Sequence, residues 1–188
     1  KQYQAEASRR IAQAEFESFE DYLRSLEMKA EASSFTPFHY ARIAQLTQRS
    51  NQFNLRTIRY TEADIERIAQ DEHFITRYFS LEDKFGDHGL IAVLIMEKLD
   101  ADTAFVDTWL MSCRVLKRTM EAFVVNEMAK AAQAAGVKRI VGEYIPTANN
   151  KMVATLCEAY GFKQMPEDAH RFVLDLENYK AQNTCVHI

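Results

Sequence analysis

A chain of 188 residues with net charge −4, ordinary apolar content and only three prolines and five glycines is long enough for a sizeable core and is not composed like a disordered protein. The acidic balance argues against nucleic acid as a partner, because binding along a phosphate backbone calls for a surplus of Lys and Arg on one face. The longest apolar run, Leu90 to Met96, is too short to cross a bilayer, no secretory leader is evident, and neither a membrane nor a metal is expected. The five histidines stand apart, and Cys113, Cys157 and Cys185 form an odd set without CxxC spacing, which fits a reducing cytoplasm.

From Ala5 to about Glu31, Ile11, Phe16, Phe19, Tyr22, Leu23 and Leu26 recur at helical intervals, predicting one broken helix or two short ones. Pro37 suits the first turn of a further helix carrying Tyr40, Ile43 and Leu46, so residues 1–54 read as a helical lead-in. Alternating elements follow over residues 55–178. A strand is predicted at Leu55–Arg59, then a Thr61-capped helix through Ala69, strands at Phe74–Phe79, Leu90–Lys98 and Thr103–Ser112, and a long helix Lys117–Ala135 stopped by Gly136. A strand at Val137–Tyr144, a helix at Asn149–Tyr160 stopped by Gly161, and strands at Phe162–Met165 and Arg171–Leu176 complete the series. Residues 179–188 read as a polar tail.

Two strand-to-helix junctions dominate the chemistry. At Asp107–Glu121 a β-rich run passes through a basic turn into an amphipathic helix, and a helix start offers unpaired N–H groups and a positive dipole end to a phosphate. Arg114, Lys117 and Arg118 add charge there and would give an acidic protein a local basic patch to meet. Asp107 and Trp109 alternate along the strand and are expected on one face. Cys113, at the junction beside Arg114, is a candidate acyl acceptor, and Glu143 at a strand end is the best-placed carboxylate for a general base. Asn149 and Asn150 carry amides suited to an amide-rich ligand, although Asn is also a routine helix cap. The amides of Asn51-Gln52-Phe53-Asn54 are expected to pin the turn before the first strand of the α/β region.

These junctions, with Pro146-Thr147-Ala148-Asn149-Asn150 and Tyr160-Gly161-Phe162, resemble the coenzyme-binding half of GNAT acyltransferases, which implies an α/β fold with a mixed central sheet and flanking helices. More specifically, Asp107–Leu116, Asn51–Leu55 and Lys84–Leu90 resemble the C-terminal region of FkbH-like proteins, over about Ala41 to Phe162. That resemblance implies a haloacid-dehalogenase-type N-terminal domain, and no DxDx(T/V) motif occurs in this chain, so a fragment lacking that partner domain is expected. It also implies a glyceryl-type acyl group loaded onto the phosphopantetheine of an acyl carrier protein in polyketide-type biosynthesis.

The resemblance further implies that Trp109, Ser112, Arg114, Lys117, Arg118, Thr119, Asn149 and Asn150 bind acetyl- or acyl-coenzyme A or a carrier's phosphopantetheine, with Cys113 or Glu143 handling transfer. Two departures stand out. In the loop that in GNATs reads Q/R-x-x-G-x-G/A, Lys117 and Thr119 fill both glycine positions. Cys157 replaces the usual general-acid Tyr, with Tyr160 nearly one turn later. The alternatives are a non-catalytic module that docks the carrier for the missing domain, and a small-molecule N-acetyltransferase.

Overall fold

In the computed structural model, which describes residues 2–16 and 18–188, seven strands form one mixed sheet in the order β1-β2-β3-β4-β5-β7-β6. The strands are β1 (Lys29–Ser33), β2 (Phe74–Asp83), β3 (Gly86–Lys98), β4 (Thr103–Met111), β5 (Arg139–Glu143), β6 (Lys163–Met165) and β7 (Asp168–Asp175). The helices are α1 (Gln2–Ala14), α2 (Phe19–Ser25), α3 (Tyr40–Arg49), α4 (Glu62–Gln70), α5 (Met120–Ala134) and α6 (Leu156–Ala159). All neighbouring strands run antiparallel except β4 and β5. Among the described residues no helix is long and apolar enough to cross a membrane.

The sheet divides the core in two. On one face Ile43, Leu46, Ile65 and Ile68 of α3 and α4 pack against Tyr78, Val93, Ile95 and Leu110. On the other, Phe123, Val124 and Met128 of α5 join Phe79, Leu94, Trp109, Ile140 and Phe172. The helix ends follow local chemistry. Thr61 and Asp64 form a reciprocal capping box on α4, and Gly136, at φ 78, follows the end of α5.

Several expectations are corrected. Helix does not continue to Glu31, because Lys29–Ser33 is the sheet's first strand, paired with β2 from Lys29↔Glu82 to Ser33↔Tyr78. With α3 in the core as well, much of the stretch expected as a lead-in belongs to the sheet domain. Leu55–Arg59 is irregular, with Asn54 bridged to Leu110 in its place. The Asn149–Tyr160 helix is a 3-10 turn at Lys151–Val153 followed by the short α6. The tail buries Cys185 and Val186, and His187 forms a parallel bridge with Lys29.

A buried charge cluster ties α1 to the β2–β3 hairpin. The Asp83 carboxylate accepts hydrogen bonds from Arg9 Nε at 2.7 Å and Nη2 at 2.9 Å, and from the Phe85 and Gly86 N–H groups at 2.9 and 3.1 Å. His88 and Arg118 stand 3.6 Å away. Burial alone raises the Asp83 pKa, but nearby His88 and the hydrogen bonds from Arg9 and the Phe85 N–H outweigh it and hold the carboxyl well below the usual range.

The folded value lies below the unfolded one of 3.8, so the stabilisation is complete above about pH 4 and is lost as pH falls further. Asp83→Asn is expected to cost about 3 kcal/mol at neutral pH, since it leaves buried Arg9 with only the more exposed Glu6, 2.9 Å from its Nη1, as counter-charge. It should also flatten the acid limb of the stability curve. Urea unfolding of both proteins between neutral pH and pH 3 measures this.

Candidate functional site

The site is organised by a parting of strands. β4 and β5 pair only from Thr103↔Arg139 to Phe105↔Val141, while β4 continues to Met111 and β5 to Glu143. The edges of the two strands diverge beyond that point, and unpaired backbone groups in a protein interior are costly.

The chain fills this opening with its own residues 53–57. Met111 N–H donates to the Phe53 carbonyl at 3.2 Å, Asn54 bridges antiparallel to Leu110, and Ile145 N–H donates to the Leu55 carbonyl at 2.9 Å. Phe53, Asn54 and Leu55 are all buried, and the Phe53 ring meets the buried Trp109 edge-on at 5.5 Å. Asn150, fully buried, donates through Nδ2 to the carbonyls of Asn54 at 3.0 Å and Ile145 at 2.9 Å, and its Oδ1 accepts from Thr147 N–H at 2.8 Å. Asn54 Nδ2 donates to the Ser50 carbonyl and its Oδ1 accepts from Thr57 N–H, so this amide does pin the turn.

Arg56 spans the same gap. Its Nη1 donates to the Asp107 carbonyl at 3.0 Å, its Nε donates to Glu143 Oε1 at 3.0 Å, and the guanidinium lies 4.8 Å over the Phe105 ring. Glu143 Oε2 accepts from Arg171 Nε at 3.1 Å. Both oxygens of this carboxylate are therefore held by guanidiniums, which leaves a weak position for abstracting a proton from a ligand.

Asp107 and Trp109 do not share a face. The β3–β4 register jumps between Ile95↔Thr108 and Met96↔Val106, so Asp107 is a bulge residue. The bulge turns its carboxylate to Tyr60 Oη at 2.7 Å and Arg56, while Trp109 enters the α5-side core. Burial and then the bond to Asp107 raise the Tyr60 pKa.

After β4 the chain makes a 3-10 turn at Cys113–Val115, with the Ser112 hydroxyl accepting from Arg114 N–H, and α5 begins only at Met120. Lys117 and Thr119 both adopt left-handed backbone, at φ 62 and 65. These are the two positions where the resemblance expects glycine, and side chains there are strained and crowd the approach. The Lys117 N–H is taken by the Glu121 carboxylate at 3.2 Å. The Thr119 hydroxyl accepts from Cys185 N–H at 2.8 Å, and the Thr184 hydroxyl donates to the Thr119 carbonyl at 2.8 Å. Arg118 turns away into the Asp83 cluster, 3.6 Å from both Asp83 and Glu6.

Cys157 is buried, and burial pushes its thiol up to about 12. A Cβ added to Gly142 would stand 3.0 Å from its sulfur. Burial, and then the charge of Glu121, also raises Tyr160.

The open part of the site lies at the end of β4. A groove of about 500 Å³ runs between the end of α3, residues 50–53 and the turn after β4, and it gathers Ser112, Cys113, Arg114 and Asn149. Cys113 is exposed there, and its thiol meets Gln52 Oε1 at 3.1 Å. Of the residues singled out from sequence, the groove brings together these four. Trp109 and Asn150 are buried behind it, Glu143 is held by Arg56 and Arg171, and Arg118 is in the Asp83 cluster. Lys117 and Thr119 line a separate cavity of about 840 Å³ with Arg24, Tyr160 and Gln182.

No family model and no curated protein matches the chain. Solved structures do match it. The ribosomal-protein-S18-alanine N-acetyltransferase from Escherichia coli aligns with TM-score 0.56 and 15% identity, over 80% of this chain and 99% of its own. The GNAT domain of S. lividans PAT gives 0.58 and 19% over 78% and 90%. The spermidine N-acetyltransferase from Vibrio cholerae, solved with CoA and spermine, gives 0.58 and 12% over 79% and 96%.

The fold is that of the GNAT acyltransferases. A GNAT fold implies coenzyme A, and the residues present do not fit it in the mode the resemblance predicts. The opening between β4 and β5 is filled by residues 53–57, and the turn before α5 carries Lys117 and Thr119 where the resemblance expects glycine and gives the Lys117 N–H to Glu121. Titration calorimetry with acetyl-coenzyme A is expected to show no saturable binding in the micromolar range. Lys117→Gly should stabilise the fold by about 1 kcal/mol by removing left-handed strain, read as a rise in the urea midpoint. Asn150→Ala should cost about 3 kcal/mol in the same assay, because it strands the buried Asn54 and Ile145 carbonyls and the Thr147 N–H.

Proposed function

We propose that this chain is an acyl-handling domain of GNAT fold from an FkbH-like biosynthetic protein. Its ligand is an acyl group on the phosphopantetheine arm of an acyl carrier protein, met in the groove at the end of β4. The observation that carries this reading is that the one exposed cysteine, Cys113, stands in the accessible groove while the interior opening is filled. An arm tethered to a carrier protein can deliver its thioester to a surface groove without threading between strands.

In the reaction proposed, Cys113 loses its thiol proton to solvent and the thiolate attacks the thioester carbonyl. The tetrahedral intermediate collapses to an acyl-Cys113 thioester, and the departing pantetheine sulfur takes up a proton. Gln52, whose Oε1 accepts from the Cys113 thiol at 3.1 Å, orients the sulfur before its proton leaves. Run in reverse onto a second arm, the same exchange returns the acyl group, so no general base as strong as a free carboxylate is needed. The haloacid-dehalogenase-type domain of the parent protein would supply the acyl group.

A docking module without chemistry is the second reading, and the filled opening favours it equally. The two separate on one experiment. Incubation with an acylated carrier protein, followed by intact-mass analysis, is expected to show a single acyl adduct that maps to Cys113 and is absent from Cys113→Ala. Carrier binding without an adduct would leave only the docking role. As a control on accessibility, a neutral thiol reagent should modify one cysteine rapidly in the native protein and all three after unfolding, because Cys157 and Cys185 are buried.

A further inference from the structure

β1 is an edge strand whose outer side is only partly covered. The Ala30 N–H points away from β2, to the His187 carbonyl at 2.8 Å, whereas the Phe35 N–H turns inward to Thr76 Oγ1 at 3.2 Å. Backbone direction alternates along such a strand, so Lys29, Glu31 and Ser33 serve the ladder with β2. The Ala30 C=O and both backbone groups of Ala32 therefore face outward. The returning tail bridges this edge at Lys29↔His187 alone and does not reach them.

Edge strands are ordinarily blunted by a Lys, a Pro, a bulge or an outward charge. Past the tail's bridge this one offers only Glu31, and that carboxylate is held back on the sheet. Its Oε1 accepts from Tyr78 Oη at 3.1 Å and from Ser33 Oγ at 2.9 Å.

A groove of about 480 Å³ borders the same edge, on the face of the sheet that carries α3 and α4. Lys29, Glu31, His39, Tyr78, Glu82 and Asp87 are among its lining residues. Three carboxylates thus stand against one ammonium, and among the described residues none of the three forms an ion pair. Lys29 is opposite Glu82 in the register without closing on it. At the rim, Phe38 is 90% exposed and meets His39 edge-on at 5.1 Å, and His39 in turn stacks on Tyr78 at 4.2 Å. An aromatic ring left in water beside an acidic groove presents a face to a cation.

We propose that the outer edge of β1 is a docking surface for an extended segment of a partner protein, which adds as a strand and lays a Lys or Arg side chain in this groove. A residue arriving antiparallel would exchange both of its backbone hydrogen bonds with Ala32, and the side chains on either side of it would fall on the groove face. Backbone pairing is indifferent to sequence, so selection comes from charge. Glu31, Glu82 and Asp87 complement a basic segment and repel an acidic one. This surface shares no lining residue with the groove at Cys113, so it stands or falls apart from the acyl-handling reading.

The probe is a fluorescently labelled hexapeptide of alternating valine and lysine, followed by anisotropy and compared with the same peptide carrying glutamate for lysine. Saturable binding of the lysine peptide is expected, with the glutamate peptide weaker by about tenfold or more. Ala32→Pro should abolish binding, because it removes an outward N–H while keeping every charge and the ladder to β2. Glu31→Gln/Glu82→Gln should weaken binding about tenfold with the edge intact. In the unmodified chain, lysine peptide at about ten times its dissociation constant should slow amide hydrogen exchange at Ala32 about tenfold.

No saturable binding of the lysine peptide overturns the proposal. Binding that survives Ala32→Pro, or exchange at Ala32 that does not change, reduces the effect to charge attraction and overturns it as well. Equal affinity for the two peptides overturns the basic partner. Self-association of the free chain that Ala32→Pro abolishes, read by sedimentation, would give the edge to a second copy instead. Circular dichroism and the urea midpoint of each variant verify that a loss is not unfolding.

Discussion

The requirement on which the site depends is that two parallel strands, joined over three residue pairs, must part without leaving their backbone groups bare. Interior N–H and C=O groups without partners destabilise a fold by more than most single side chains can restore. Residues 53–57 meet that requirement by lying across the opening as a substitute strand. The bulge at Asp107, the bridging Arg56, the buried Asn54 and Asn150 amides and the edge-on contact of Phe53 with Trp109 all serve to hold that segment. The site is thereby displaced outward, to the rim where β4 ends and Cys113 is exposed.

Charge is apportioned in the same spirit. Asp83 collects Arg9, His88 and Arg118 in the interior, and Glu143 collects Arg56 and Arg171 at the strand end. Each of these carboxylates satisfies more than one cation. A buried cluster of this kind adds little net stability beyond a well-packed apolar alternative, but it fixes which elements meet. The Asp83 cluster fixes α1 against the hairpin and the start of α5, and so it withdraws Arg118 from any ligand.

Much of the architecture was legible in the sequence. The order of strands and helices from Thr61 to Leu176 follows from periodicity and from caps such as Thr61 and Gly136. What local pattern does not carry is pairing. Lys29–Ser33 was hidden inside a helix-rich composition because its strand character comes from β2 beside it. The shared face expected for Asp107 and Trp109 failed because a bulge shifts the alternation by one residue, and nothing in the local sequence marks it. Glu143 and Arg118 were read as free groups, since their partners lie far away in the chain. The Asn54 amide was read correctly as turn-pinning, but Gln52 turns to Cys113 instead, and that the same segment spans the sheet was not visible.

The return of residues 184–187 to the first strand has a consequence for biosynthesis. Ala30 N–H donates to the His187 carbonyl at 2.8 Å and His187 N–H to the Met28 carbonyl at 3.1 Å, while Thr184 and Cys185 grip Thr119. On the ribosome β1 emerges before every other strand of the sheet, whereas His187, which meets its outer edge at Met28–Ala30, emerges after all of them. During that interval an open strand edge is available to other nascent chains. The late closure makes Met28–Ala30 the stretch of this edge that waits longest for its partner during vectorial folding.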